Sequence, residues 1–217
     1  MTVFARVLML CLAMALAPAV KATAQLSDLL IVKGKEFALN TNPLEAELQK
    51  KQWTPPEDAL ISTANWRGYL ATWEIKDGKL FLKDVTIAVG DPKEERGVTN
   101  KSITGDLYPG AAEVFADWYT GALIVPDGEM TRYVHMGYGS SFDHYQVFRV
   151  QAGKVVEHLS MTGAEFEAYK ERKFAAFRKT EAYAKAYADF RKEAPDLGKA
   201  HAEDFIRSYF AETYLSQ

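Results

Sequence analysis

Two histidines, an aspartate, two serines and three tyrosines crowd the stretch Arg132-Tyr133-Val134-His135-Met136-Gly137-Tyr138-Gly139-Ser140-Ser141-Phe142-Asp143-His144-Tyr145. Its glycines break the chain into a loop where backbone can approach a ligand and side chains can converge. Ser140 or Ser141, His135 or His144, and Asp143 are the residue types of a Ser-His-Asp hydrolase. Neither serine lies in a G-x-S-x-G elbow, however, and the segment continues into a strand pattern where an elbow needs a helix. His135, Asp143 and His144, with His158 as a distant fourth, are also the residue types of a Zn²⁺ site. No H-x-x-x-H or H-E-x-x-H spacing places two of them on one face, and neighbours in a strand such as Asp143 and His144 point to opposite faces unless a bulge intervenes. The simplest alternative is a bent loop whose Tyr and His groups satisfy backbone polar atoms.

A second dense stretch is Ser62-Thr63-Ala64-Asn65-Trp66-Arg67-Gly68-Tyr69-Leu70-Ala71-Thr72-Trp73-Glu74. Strand alternation puts Trp73 on one face with Ile75, Leu82, Ala71 and Tyr69, which makes these core residues. Arg67 precedes that strand, across Gly68. Its guanidinium can bind a carboxylate ligand, stack on Trp66, or pair with one of the chain's 29 acids, and residue type does not separate these roles. The candidate binding residues are therefore Trp66, Arg67, His135, Tyr138, Ser140, Asp143 and His144; no catalytic residue, metal ligand or cofactor is assigned.

The elements that must position these residues follow a turn grammar. Asp77-Gly78 should pair Ile75 with Leu80 and Trp73 with Leu82. Gly34-Lys35 should pair Val32 with Phe37 and Leu30 with Leu39. Asp127-Gly128 should join Leu123-Val125 to Met130-Val134, with Pro126 weakening the first strand. Ala152-Gly153 should join Tyr145-Val150 to Val155-Leu159. Ile75–Leu80 and Val150–Val155 look like copies 75 residues apart, but the shared turn chemistry explains the match without duplication. Val85-Val89 prolongs a strand, and Gly90–Gly97 reads as a charged loop. A short helix over Leu44–Lys51 follows Asn42-Pro43.

After Met161 the periodicity changes. Thr162 and Glu165 form a capping box, and Phe166, Tyr169, Lys173, Phe174 and Phe177 follow helical spacing. A second helix begins near Thr180, carries Tyr183, Tyr187 and Phe190, and stops before Pro195. A third begins near Ala200, with Phe205, Ile206, Tyr209 and Tyr214 on its apolar side. The expected fold is α+β: a sheet of antiparallel hairpins over residues 28–160, followed by helices over 162–215 that pack on it.

Composition sets the class. The chain has 217 residues, 48% hydrophobic and 25% charged, with 26 Lys or Arg, 29 Asp or Glu and a net charge of −3, which describes a soluble globular protein without the cation excess of a nucleic-acid binder. Residues 1–24 read as a secretory signal peptide: Arg6, an apolar run of 14 residues from Val7 to Val20, then Ala22 and Ala24 before Gln25. That run is shorter than the roughly 20 residues a spanning helix needs. Cleavage would leave one domain of residues 25–217 with 193 residues, a charge of −5, no stable membrane anchor and no cysteine, since Cys11 lies in the leader. The expected location is periplasmic or secreted.

The runs Ser62–Gly78 (STANWRGYLATWEIKDG), Asp117–Gly128 (DWYTGALIVPDG) and Tyr133–Ser140 (YVHMGYGS) resemble a bacterial family of uncharacterised proteins, over about Leu30 to Phe177. The resemblance implies a shared fold and brings no activity or catalytic residue with it. The functional expectation is an exported protein that binds a protein partner or small ligand, with an immunity or inhibitor role as its concrete form. The competing expectation is a periplasmic hydrolase or metal-dependent enzyme built on His135–His144, and a purely structural envelope role is the third.

Overall fold

A computed structural model describes residues 23–91, 93–94 and 97–217, so the proposed leader through residue 22 lies outside the described residues. Nine strands form one sheet: β1 (Asp28–Val32), β2 (Lys35–Leu39), β3 (Leu70–Lys76), β4 (Lys79–Gly90), β5 (Val98–Ser102), β6 (Val114–Phe115), β7 (Gly121–Arg132), β8 (Ser141–Gln151) and β9 (Lys154–Thr162). Their order is β2-β1-β3-β4-β9-β8-β7, with β5 and β6 also paired to β4. All pairings are antiparallel except β1 with β3. Helices α1 (Glu45–Lys50) and α2 (Thr104–Leu107) lie in connections, and α3 (Gly163–Phe177), α4 (Glu181–Glu193), α5 (Lys199–Tyr209) and α6 (Ala211–Leu215) follow the sheet. The α+β architecture is as the periodicity implies. Among the described residues no helix is long and apolar enough to cross a membrane.

The hairpin at Asp77-Gly78 has the expected register, Ile75 opposite Leu80 and Trp73 opposite Leu82. The first hairpin turns at Lys33-Gly34 instead of Gly34-Lys35, so that Leu30 faces Phe37 and Asp28 faces Leu39. The reason is shared by three turns. Lys33-Gly34, Asp77-Gly78 and Ala152-Gly153 all have both central residues at positive φ, the conformation that matches strand twist in a two-residue loop and places glycine second.

Asp127-Gly128 is not a turn. β7 runs straight through it, and its register with β8 slips between Asp127, opposite His144, and Met130, opposite Phe142. Asp143 on β8 decides this: its Oδ1 accepts the Glu129 N–H at 2.8 Å and occupies the space a Cβ on Gly128 would need, 2.0 Å away. The dipeptide therefore makes a bulge, and residues 133–140 form the connection to β8.

The sheet curls. β4 and β9 meet only at their hairpin tips, through Leu80 N–H to Gly153 O (2.8 Å) and Val155 N–H to Gly78 O (2.9 Å). At the opposite ends, Asn40 just past β2 donates to Ile124 O of β7 at 2.8 Å. The enclosed face packs Leu30, Trp73, Leu80, Leu82, Val85 and Ile87 against Leu123, Val125, Phe148 and Val150. The other face of β7 and β8 presents Ala122, Ile124, Tyr145 and Val147 to Phe166, Tyr169, Phe174, Phe177, Ile206 and Tyr214 of the helices. Burial on both faces explains why Ala122–Val125 is continuously apolar. The capping box at Thr162 and Glu165 is present, and Thr180 caps α4. Tyr209, expected on an apolar face, is about half exposed and packs on Phe205.

Candidate functional site

Both motif stretches reach the same end of the molecule because a short strap, residues 23–26, is laced between them. Gln25 N–H donates to Gly137 O (3.1 Å) on one side, and Leu26 N–H donates to Ala64 O (2.8 Å) on the other. The Gln25 side chain donates to Thr63 O (2.7 Å), and the hydroxyls of Thr23 and Thr63 lie 3.0 Å apart.

Arg67 is spent on the interior. Its Nη1 donates to Asp28 Oδ1 at 2.9 Å and its Nη2 to Leu26 O at 3.0 Å, while the guanidinium lies over the Tyr69 ring, not over Trp66. Asp28, fully buried in β1, also accepts from Ala71 N–H and Trp73 Nε1, each at 3.1 Å. Burial raises the Asp28 carboxyl above the usual carboxylate value, and Arg67 with the two N–H donors works against that rise. Burial likewise opposes the charge of Arg67, but Asp28, Tyr138 and Tyr69 outweigh it and hold the guanidinium above its ordinary value. Gly68 lets the chain turn here: it has φ +75°, and a Cβ would lie 2.6 Å from Pro55 Cγ. Of the alternatives open for Arg67, an internal ion pair is the one the fold adopts.

Tyr138 closes the site from the second loop. Its hydroxyl donates to Asn42 Oδ1 (2.9 Å) and approaches Leu26 O (3.4 Å). Burial raises this phenol to about 12, so it remains a donor at neutral pH. Tyr69 adds a bond to Glu45 Oε2 at 3.2 Å. Asp28, Asn42 and Glu45 were not singled out among the candidates. The signal for Asp28 is an acid sharing the inward face of β1 with Leu30; nothing local distinguishes Asn42 or Glu45.

The remaining candidates do not form a catalytic constellation. Ser140 Oγ accepts Val134 N–H (3.1 Å), while His135 Nδ1 lies 3.3 Å from Tyr133 OH with the two rings edge to face. Asp143 Oδ1 and His144 Nδ1 are 3.4 Å apart, so these neighbours do meet, and both side chains are near half exposed. His158 stacks on Phe148 and contacts Gln146 Oε1 at 2.9 Å. No serine hydroxyl bonds a histidine, and no three His, Cys, Asp or Glu side chains converge as a ligand set, among the described residues.

Large apolar and aromatic side chains face outward at this end beside exposed Ser62, Thr63 and His135: Leu26, Trp66, Tyr133 and Met136, with Leu60 and Ile61 in the stretch leading to the first loop, are all exposed. The strap and the buried ion pair thus hold two loops in one arrangement and leave apolar side chains available for contact. Compared with protein-family models, curated proteins and solved structures, the chain finds no match.

Proposed function

We propose that this is an exported, periplasmic or secreted, binding protein whose recognition surface is the strapped end bearing Leu26, Trp66, Tyr133 and Met136, and that it acts as an immunity- or inhibitor-type partner of another protein. One observation carries the reading: Arg67 and Tyr138, the polar groups that tie the two loops to the interior, are committed to internal hydrogen bonds, while large apolar side chains are left exposed on the same backbone. Preorganisation lowers the ordering cost of association, and exposed Trp and Tyr are the side chains that contribute most at interface centres. The net charge of −3, before any cleavage, favours a basic partner, with association steered by charge and slowed by salt.

The test is affinity capture from a periplasmic extract with the tagged protein and with the triple variant Trp66→Ser, Tyr133→Ser, Met136→Ser. A stoichiometric basic protein retained by the first and lost from the second supports the reading. Equal retention by both would overturn the assigned surface, and an association rate indifferent to salt would overturn the charge-steered form.

A further inference from the structure

The helical side of the molecule carries a feature of opposite character to the strapped end. Around the junction of α3, α4 and α5 lies a groove of about 520 Å³, within the range of roughly 300–1,000 Å³ typical of small-molecule sites. None of its lining residues belongs to the strapped end. Arg178, Lys179 and Lys199 bring cations to it and Glu203 an acid, so among the described residues the lining has a net charge of +2 in a chain whose total is −3. Glu203 does not saturate these cations. Its Oε1 lies 3.7 Å from Arg178 Nη1 and 3.8 Å from Lys199 Nζ, both beyond hydrogen-bond distance, and Lys179 has no ion pair among the described residues. All three cations are exposed, so their donors are open to a ligand, and an anion placed among them relieves the repulsion of like charges.

The other wall is aromatic. Tyr183 and Tyr187, one turn apart on α4 and half-buried, hold their rings 6.1 Å apart and within 27° of parallel. Tyr183 is fixed edge to face against the buried rings of Phe174 and Phe177. Such a platform suits stacking of a flat ring, because its own rings are already ordered. We propose that this groove binds a phosphate monoester carried on a flat ring system: Arg178, Lys179 and Lys199 hold the phosphate, and Tyr183 and Tyr187 take the ring. The surplus of two positive charges matches a phosphate dianion better than a single carboxylate, and the planar donor fork of arginine fits phosphate oxygens. The site is additional to the protein-binding surface proposed above and does not depend on it.

Titration calorimetry of the full chain at about pH 7.5, where a phosphate monoester is mostly dianionic, tests this with three probes: adenosine monophosphate, inorganic phosphate and adenosine. The nucleotide should bind about tenfold or more tightly than inorganic phosphate, the difference that stacking of one base supplies. Arg178→Gln and Lys179→Gln should each weaken the nucleotide by roughly fivefold, the effect of one exposed charge contact, and Tyr187→Ser should bring it down toward inorganic phosphate. No heat at millimolar nucleotide, equal affinity for nucleotide and inorganic phosphate, or unchanged nucleotide affinity in both cation variants would each overturn the proposal. Should Tyr187→Ser fail to fold, the two cation variants, which alter exposed side chains only, still decide it. Trp66, Tyr133 and Met136 are untouched throughout, so failure here and failure of affinity capture are separate events.

Discussion

Asp28 and Arg67 form an ion pair with both side chains essentially removed from water. Removing one member of such a pair leaves the other charge buried and unpaired, which costs about 3–5 kcal/mol. Asp28→Asn keeps the shape and should lower unfolding free energy in denaturant by that amount. Arg67→Lys should recover little, because one ammonium cannot reproduce the two divergent bonds to Asp28 and Leu26 O. Glu212 sets a different dependence. Its pKa rises on folding, so the folded state holds a proton that the unfolded chain has lost between pH 4.5 and about 7, and stability falls through that window as pH increases. Unfolding free energy should drop by roughly 2–3 kcal/mol from pH 5 to pH 8, with Glu212→Gln lacking that decrement.

Among the elements, the two-residue turns are the clearest case of local encoding. Three x-Gly dipeptides lie at hairpin tips because strand twist requires positive φ at both positions. Ala152 meets that requirement at φ 44°, in a region that costs an L-residue with a Cβ roughly 1 kcal/mol. Ala152→Gly should therefore raise the thermal midpoint slightly, a gain of about 0.5–1 kcal/mol, and keep the Thr120 bond to the residue 152 N–H. Thr162→Ala, which removes the hydroxyl half of the capping box, should cost about 1 kcal/mol in the same measurement. Asp127-Gly128 marks where local reading ends. The same residue types serve a turn or a bulge, and the choice depends on an Asp143 carboxylate delivered by another strand. Strands β5 and β6 were also illegible: Val98–Ser102 is exposed throughout, and Val114–Phe115 is too short to show a period.

For the molecule as a whole, the strap couples two loops that are far apart in the chain. Leu26→Pro would remove the N–H donated to Ala64 O. Hydrogen exchange should then increase together over residues 62–67 and 133–140; an increase confined to the first loop would show that the strap does not couple them.

The turns at Asp77-Gly78 and Ala152-Gly153, the helix starts and the inward faces of the strands follow from the amino-acid sequence alone, because positive φ, capping and periodicity are settled within windows of a few residues. Both candidate stretches were visible in the same way, as unusual local densities of polar and aromatic groups. Their meaning was not. Arg67 meets Asp28 across 39 residues, and Asn42 meets Glu212 across 170. Only closure of the curled sheet and docking of α6 bring those groups together, and burial there turns an ordinary arginine into an internal brace and an ordinary glutamate into an acid that titrates near neutrality.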